Sequence, residues 1–163
     1  MNAIETVSLK MPRSFATSFL AILLTVVPAR PAGESSVQVA IIVNKGNRID
    51  KLSAKDLKQI YTGAKAKWPD GVQIQTLATG ANTPEHRVAI KFLFGMNEPE
   101  YEKYRLHATF VGNTQEIPRD YGSSEAVLRF VSLIPGAIGF IRADAVNSSV
   151  KVIPIEGWGP DNR

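Results

Sequence analysis

Residues 41–71 read IIVNKGNRIDKLSAKDLKQIYTGAKAKWPDG, and this stretch decides the fold. It continues the β-branched apolar run of residues 37–43, a pattern typical of a strand that is buried on both faces. The turn-forming residues 44–47 interrupt that run. The stretch therefore predicts a buried strand and a loop, and its remaining residues predict a helix and a second turn.

Several independent signals mark the two ends of this helix. Ser53 is a favourable N-cap residue, and Asp56 three positions later completes a capping-box pattern. Leu52 and Leu57 stand at the two positions of a hydrophobic staple, and Gly63 fits the left-handed position that follows a helix. The spacing of the apolar residues predicts one buried helix face, formed by Leu57, Ile60 and Tyr61.

The rest of the chain alternates between strand and helix patterns. The predicted elements are a strand over 72–77, a helix capped by Thr83 with Pro84 in its first turn, a helix capped by Asn97, a loop over 112–121, a helix over 123–133, and strands over 137–141 and 150–155. The last strand is expected at a sheet edge because Pro154 has no N–H to donate. This order predicts an α/β fold with a small, mostly parallel sheet covered by helices.

Composition and charge exclude several classes of function. The chain has 163 residues, of which 44% are hydrophobic and 21% charged, enough to bury the core of one domain. The net charge is +4, and Asp50 and Asp56 interrupt the densest group of lysines, which favours a solvated basic face over a nucleic-acid groove. The absence of cysteine excludes a disulfide framework, a thiolate zinc site and a cysteine nucleophile.

The N-terminal residues have the pattern of a secretory signal peptide. Lys10 and Arg13 precede the uncharged run 15–27, whose length suits a signal peptide and is short for a bilayer span. Small residues predict cleavage after Ala29, with Ala32 as the alternative, and Met11 is an alternative start. We therefore expect a signal peptide over 1–29, a mature domain over 30–163, and a periplasmic or secreted location.

Six short motifs resemble those of one known family. They are Val43-Asn44, Leu52-Ser53 with Leu57, Ile60-Tyr61-Thr62-Gly63, Trp68-Pro69-Asp70-Gly71, Phe94-Gly95-Met96 and Pro135-Gly136-Ala137-Ile138-Gly139-Phe140. In this order they resemble the phosphate-type periplasmic solute-binding proteins of ABC transporters, over residues 37 to 155. The resemblance implies a single lobe of the type II periplasmic-binding-protein-like fold, because full-length members have two lobes and about twice this mature length.

The resemblance also implies where a ligand would bind. In the family, an arginine and a Ser-Gly-Thr sequence meet phosphate at a helix N-terminus, where free N–H groups and the helix dipole favour an anion. The corresponding residues here run from 78 to 83, and Thr79 stands where the arginine aligns. The implied ligand residues are Thr79, Gly80, Asn82 and Thr83, with Asn44 as a further contact. Two alternatives stay open: Thr83 as an ordinary N-cap, and Asn44 as a turn residue.

The expected function is binding without chemistry. The resemblance implies an exported solute-binding-like protein that takes a small oxyanion such as phosphate for an ABC transporter or an associated sensor. The alternative is a one-lobe interaction module that docks on a membrane sensor or transporter component, with Tyr101, Tyr104 and Phe110 contributing an apolar patch. A small secreted hydrolase is the weakest option, because no nucleophile-elbow motif occurs.

The remaining polar residues give no sign of a catalytic or metal site. His86 and His107 fall on different predicted helices, without a third ligand at useful spacing. His86 is expected to be a solvated first-turn residue, and Glu85 beside it to belong to a charged helix face. We therefore expect no enzyme activity, no metal and no cofactor, and the sequence leaves the oligomeric state open.

Overall fold

The structure is a computed structural model that describes residues 37–113 and 117–158. The predicted signal peptide, its cleavage site and the apolar run 15–27 lie outside the described residues. The strands are β1 (Val39–Asn44), β2 (Leu52–Ser53), β3 (Gln75–Ala78), β4 (Arg119–Asp120), β5 (Ala137–Arg142), β6 (Val150–Val152) and β7 (Ile155–Glu156). The helices are α1 (Ala54–Tyr61), α2 (Pro84–Phe94), α3 (Glu98–Phe110) and α4 (Ser124–Leu133), with a short 3₁₀ turn at Ala143–Ala145.

Five strands form one sheet in the order β4-β3-β5-β1-β6, and β2 pairs with β7 beside it in parallel. Strands β4, β3 and β5 are parallel to one another, whereas β1 is antiparallel to both of its neighbours, β5 and β6. Four strands thus run in one direction and β1 alone runs against them. The α/β fold with a mostly parallel sheet is confirmed, and the reversed strand β1 at an inner position is a feature that the sequence did not predict.

Hydrogen-bonded caps begin the helices where the sequence predicts them. The Ser53 hydroxyl accepts the Asp56 N–H at 3.0 Å, and Gly63 has φ 75° just after α1. Helix α2 is capped by Thr83 and α3 by Asn97, the latter with the full capping box. These ends are set by local hydrogen bonding and backbone freedom, which is why a single sequence reveals them.

The core is divided between the two faces of the five-stranded sheet. Ile41 and Val43 of β1 face the side of α1 and α2, whereas Ile42 between them faces α4. Both sides of β1 are therefore buried, as its unbroken apolar run predicts. Helix α4 lies very close to the sheet at Gly139, where a Cβ would be 2.6 Å from a methyl group of Val127.

Short strands account for the differences from the sequence prediction. Strand β4 lies in the segment predicted as a loop, and β2 and β7 have two residues each, too few to show a period of two. Strand β3 begins at Gln75, later than predicted, because Trp68 and Val72 close a turn before it with an N–H···O=C bond of 2.9 Å. Strand β6 is at the sheet edge, as predicted. Within the described ranges, no helix is long and apolar enough to cross a membrane.

Candidate functional site

Three parallel strands end at one edge of the sheet, and two helices begin there. Strand β3 ends at Ala78, β4 at Asp120 and β5 at Arg142. The Tyr121 N–H donates to the Ala78 carbonyl at 3.0 Å, which joins the two segments that leave β3 and β4. These segments lead into α2 and α4, so both helices point their N-termini to the carboxyl edge of the sheet, a common position for ligands in α/β proteins.

The segment between β3 and α2 holds four of the five sequence-predicted ligand residues. Thr79 is fully buried, and its hydroxyl oxygen lies 3.2 Å from that of Thr83. The Thr83 hydroxyl also accepts the His86 N–H at 3.3 Å, so it does cap α2. Asn82 is exposed and has φ 75°, a left-handed conformation that asparagine tolerates better than most residues. The structure therefore brings Thr79, Gly80, Asn82 and Thr83 together.

Gly80 allows the two loops of this edge to touch. A Cβ at position 80 would lie 2.7 Å from the Gly122 carbonyl oxygen and 3.0 Å from the Gly122 Cα. Both opposing atoms belong to the backbone, so they cannot move aside by a change of rotamer. The glycine is therefore required for the close approach of the loops that precede α2 and α4.

The fifth predicted residue, Asn44, lies elsewhere. It ends β1, which runs against β3 and β5, so it lies at the opposite end of the sheet. Its side-chain amide donates to the carbonyls of Val131 and Ser132 at 2.9 and 3.0 Å, and its oxygen accepts the Gly46 N–H at 2.9 Å. These bonds tie β1 to the end of α4 and give Asn44 the turn role that was the open alternative.

Two arginines, Arg87 and Arg142, lie at the carboxyl edge. The Arg87 guanidinium donates to the Asn82 carbonyl at 3.0 Å, so this side chain turns back to the loop that precedes α2. Arg142 is the last residue of β5. Its backbone N–H donates to the Ser124 hydroxyl at 3.1 Å, and its side-chain Nε donates to the Asp144 carboxylate at 3.0 Å. Its position as the last residue of a strand parallel to β3 is the signal that identifies it.

Two glutamates place negative charge at the same helix ends. Glu85 is 4% exposed and accepts a hydrogen bond of 2.9 Å from the Ser124 hydroxyl, so the prediction of an exposed charged face is wrong there. Glu125 is in the first turn of α4, and hydrogen bonds from its own N–H and from the Ser123 hydroxyl lower the pKa of its carboxyl. Each helix N-terminus thus has a carboxylate of the chain near it, which favours neutralisation of the helix dipole.

His86 is a buried contact between α2 and α3, so its prediction as a solvated residue is also wrong. It is 4% exposed, its Nδ1 lies 2.9 Å from a Glu98 oxygen, and its ring packs against Tyr101 and Phe140. The third residue of α2 faces α3, which only the packing of the two helices determines. Across the described ranges, no three His, Asp or Glu side chains are grouped as metal ligands.

The carboxyl edge can bind an anion through only a few hydrogen-bond donors. Pro84 has no N–H, and the N–H of His86 is bonded to Thr83, so α2 offers mainly the Glu85 N–H. If Thr79 donates to the Thr83 oxygen, the Thr83 proton is available to a ligand; in the reverse arrangement it is not. Thr79 therefore controls the donor capacity of Thr83 from a buried position.

Comparison with known proteins gives structural matches only. No protein-family model and no curated protein sequence matches the chain significantly. An ABC-type phosphate transport receptor from Vibrio cholerae matches with a TM-score of 0.56 and 22% identity, over 75% of this chain and 47% of that one. A protein assigned as a phosphate ABC transporter substrate-binding protein from Clostridium perfringens, solved with bound phosphate, matches with a TM-score of 0.56 and 20% identity, over 74% and 46%.

PstS from Borrelia burgdorferi is similar to the chain at a TM-score of 0.53 and 15% identity, over 75% of this chain and 48% of that one. The chain therefore spans about half the length of the solved structures that it matches. At these identities the likeness concerns the fold, and it shows a periplasmic-binding-protein-like fold of one lobe.

Proposed function

We propose that the chain is an exported solute-binding-like protein that holds a small oxyanion such as phosphate for an ABC transporter or an associated sensor. The observation that carries the proposal is the convergence of the α2 and α4 N-termini, with Arg87 and Arg142, at the carboxyl edge of β3, β4 and β5. Helix N-termini and arginine forks both favour anions. The proteins that share the fold are named for phosphate transport, which agrees with such a ligand.

The two arginines supply the positive charge that the loop lacks. In the family resemblance an arginine occupies the position of Thr79, whereas here Thr79 is buried and uncharged. Arg87 comes from the first turns of α2 and Arg142 from the end of β5, so the cations reach the edge from two other elements. An oxyanion bound near Asn82 and Thr83 would then meet a hydroxyl, a helix N-terminus and a guanidinium.

The glutamates limit the expected affinity. Glu85 and Glu125 repel a second anion at the same helix ends, and the described fold provides one lobe to enclose it. We therefore expect weak binding, with dissociation constants in the millimolar range. Glu125 is exposed, so its removal should cost little stability. Its replacement by glutamine should therefore strengthen anion binding without unfolding the protein.

Calorimetric titration of the purified protein with phosphate and sulfate at low ionic strength tests the proposal. We expect measurable binding of phosphate, weaker binding by Arg142→Gln, and tighter binding by Glu125→Gln. Arg129→Gln is the matched control, since Arg129 is an exposed arginine of α4 away from its N-terminus. Absence of heat and of thermal stabilisation at millimolar phosphate, in both the wild type and Glu125→Gln, would exclude the oxyanion site.

A specific surface supports the alternative, an interaction module for a membrane sensor or transporter component. Leu106, Phe110 and Val111 are exposed near the end of α3, and Phe110 is 88% exposed. Tyr101, which was expected to share this patch, is buried instead. Pull-down of the transporter or sensor component from a membrane extract should be lost in Phe110→Ser and kept in Leu133→Ser, an equivalent change on α4. Retention by Phe110→Ser would contradict this use of the patch.

A further inference from the structure

We propose that the described fold has a second ligand site, a groove for a small organic carboxylate between the end of α1 and the β3–β4 edge. The groove has a volume of about 310 Å³ and is lined mainly by Lys65, Gln73, Gln75, Thr76, Ile117 and Arg119. None of these residues belongs to the carboxyl-edge site described above. This volume lies at the lower end of the range found for small-molecule sites, about 300–1,000 Å³.

The groove exists because β4 is shorter than β3. Strand β5 pairs with β3 at Gln75, Thr76 and Leu77, whereas β4 pairs with it only at Leu77 and Ala78. Beside Gln75 and Thr76, β4 therefore makes no pairing with β3, and Ile117 lines the groove there instead. The segment after α1 closes the far end, where the Ile74 N–H donates to the Ala66 carbonyl at 2.8 Å.

The described lining favours an anion that also carries polar groups. Lys65 and Arg119 contribute positive charge, Gln73 and Gln75 carboxamides, and Thr76 a hydroxyl, and among the described lining residues there is no carboxylate. Asp56 pairs with the Lys65 ammonium at 2.9 Å and offsets its charge. The described ion pairs leave Arg119 as the main cation of the groove, and its planar fork matches a carboxylate in two hydrogen bonds.

Buried apolar residues at the back of the groove strengthen this selection. Ile60 and Ile74 line it and are almost fully buried. A charge pair against such a wall is screened less by water and salt than a pair on an open surface. The groove therefore suits a short acid whose carboxylate meets Arg119 and whose polar body reaches the carboxamides and the hydroxyl of β3.

An NMR titration of the isotope-labelled protein with succinate and with L-glutamate tests this site. We expect saturable shifts of the Gln75, Thr76 and Arg119 signals, and binding about tenfold weaker in Arg119→Gln. Arg119→Lys should lose part of that affinity, because a lysine keeps the charge without the fork. Arg129→Gln is the charge-matched control and should bind like the wild type.

Three results would overturn the proposal. These are no saturable shift at millimolar acid, equal weakening in Arg119→Gln and Arg129→Gln, and full affinity in Arg119→Lys. Inorganic phosphate serves as a separate arm of the titration. Shifts confined to residues 79–83 with phosphate would support the carboxyl-edge site alone, so failure at either site can be told apart from failure at the other.

Discussion

The buried pair of Ser124 and Glu85 should make a large and measurable contribution to stability. The Ser124 hydroxyl donates to the Glu85 carboxylate at 2.9 Å and accepts the Arg142 N–H at 3.1 Å, and both side chains are almost fully buried. A hydrogen bond to a charged group contributes about 1.5–3 kcal/mol, and a buried acceptor left without a partner is costly. We expect Ser124→Ala to lower the free energy of unfolding by about 2–4 kcal/mol.

A double-mutant cycle separates this pair from the general effect of a smaller side chain. Glu85→Met removes the carboxylate but leaves the Ser124 hydroxyl bonded to the Arg142 N–H. Ser124→Ala should therefore cost less stability in the Glu85→Met background than in the wild type. We expect a coupling energy of about 1.5–3 kcal/mol between the two positions. Urea unfolding at pH 7, followed by circular dichroism, gives the free energy of unfolding of all four proteins. The slope of this free energy against urea concentration should be the same in each.

Ser132→Ala is the matched control, because it removes a hydroxyl from the same helix whose hydrogen bond to the Arg129 carbonyl is exposed. Its effect should stay within about 0.5 kcal/mol. A cost below about 0.5 kcal/mol for Ser124→Ala, or a coupling energy indistinguishable from zero, would refute the reasoning. Either result would mean that water solvates Glu85 and that the carboxylate is not held at the start of α4.

Three further predictions follow from named contacts. Asn44→Ala should lower the free energy of unfolding by about 2–3 kcal/mol, because the Val131 and Ser132 carbonyls lose their donor, and should leave phosphate binding unchanged; a change in phosphate heat would show a ligand role instead. Gly80→Ala should cost about 1–3 kcal/mol by forcing two backbone segments apart, and unchanged urea stability would contradict that close contact. Burial raises the pKa of Tyr61 and of Tyr101, so these phenols stay neutral in the folded state above the unfolded value of about 10, and stability should fall as the pH rises beyond it. Absorbance at alkaline pH should show two tyrosines that ionise only on unfolding, and ionisation of all four in the native protein would disagree.

The candidate site was only partly predictable from the sequence, because some of its residues lie far apart along the chain. Thr79, Gly80, Asn82 and Thr83 form one short segment, so local capping signals and a family resemblance located them together. Arg142 lies 59 positions beyond Thr83 in the sequence. It joins the edge because β5 pairs with β3, and no local pattern encodes that pairing.

Misplaced residues have the same explanation. Glu85 and His86 occupy the first turn of a helix, where solvent exposure is the usual expectation, yet α4 and α3 cover them. Asn44 was expected near the ligand because it ends a strand, and the reversed direction of β1 moves it to the other end of the sheet. Each error concerns which elements are neighbours, while the elements themselves were largely predicted.

Residues 41–71 determine by themselves a buried strand, a capped helix and the glycine that ends it, because hydrogen bonds within a few residues and apolar spacing fix these features. The tertiary structure decided that β1 runs against the other four strands of its sheet, that Arg142 joins the carboxyl edge, and that a short β4 borders a groove beside β3. These features depend on pairing between distant segments. The free energy of such pairing comes from packing across the whole sheet, and no single stretch of sequence contains it.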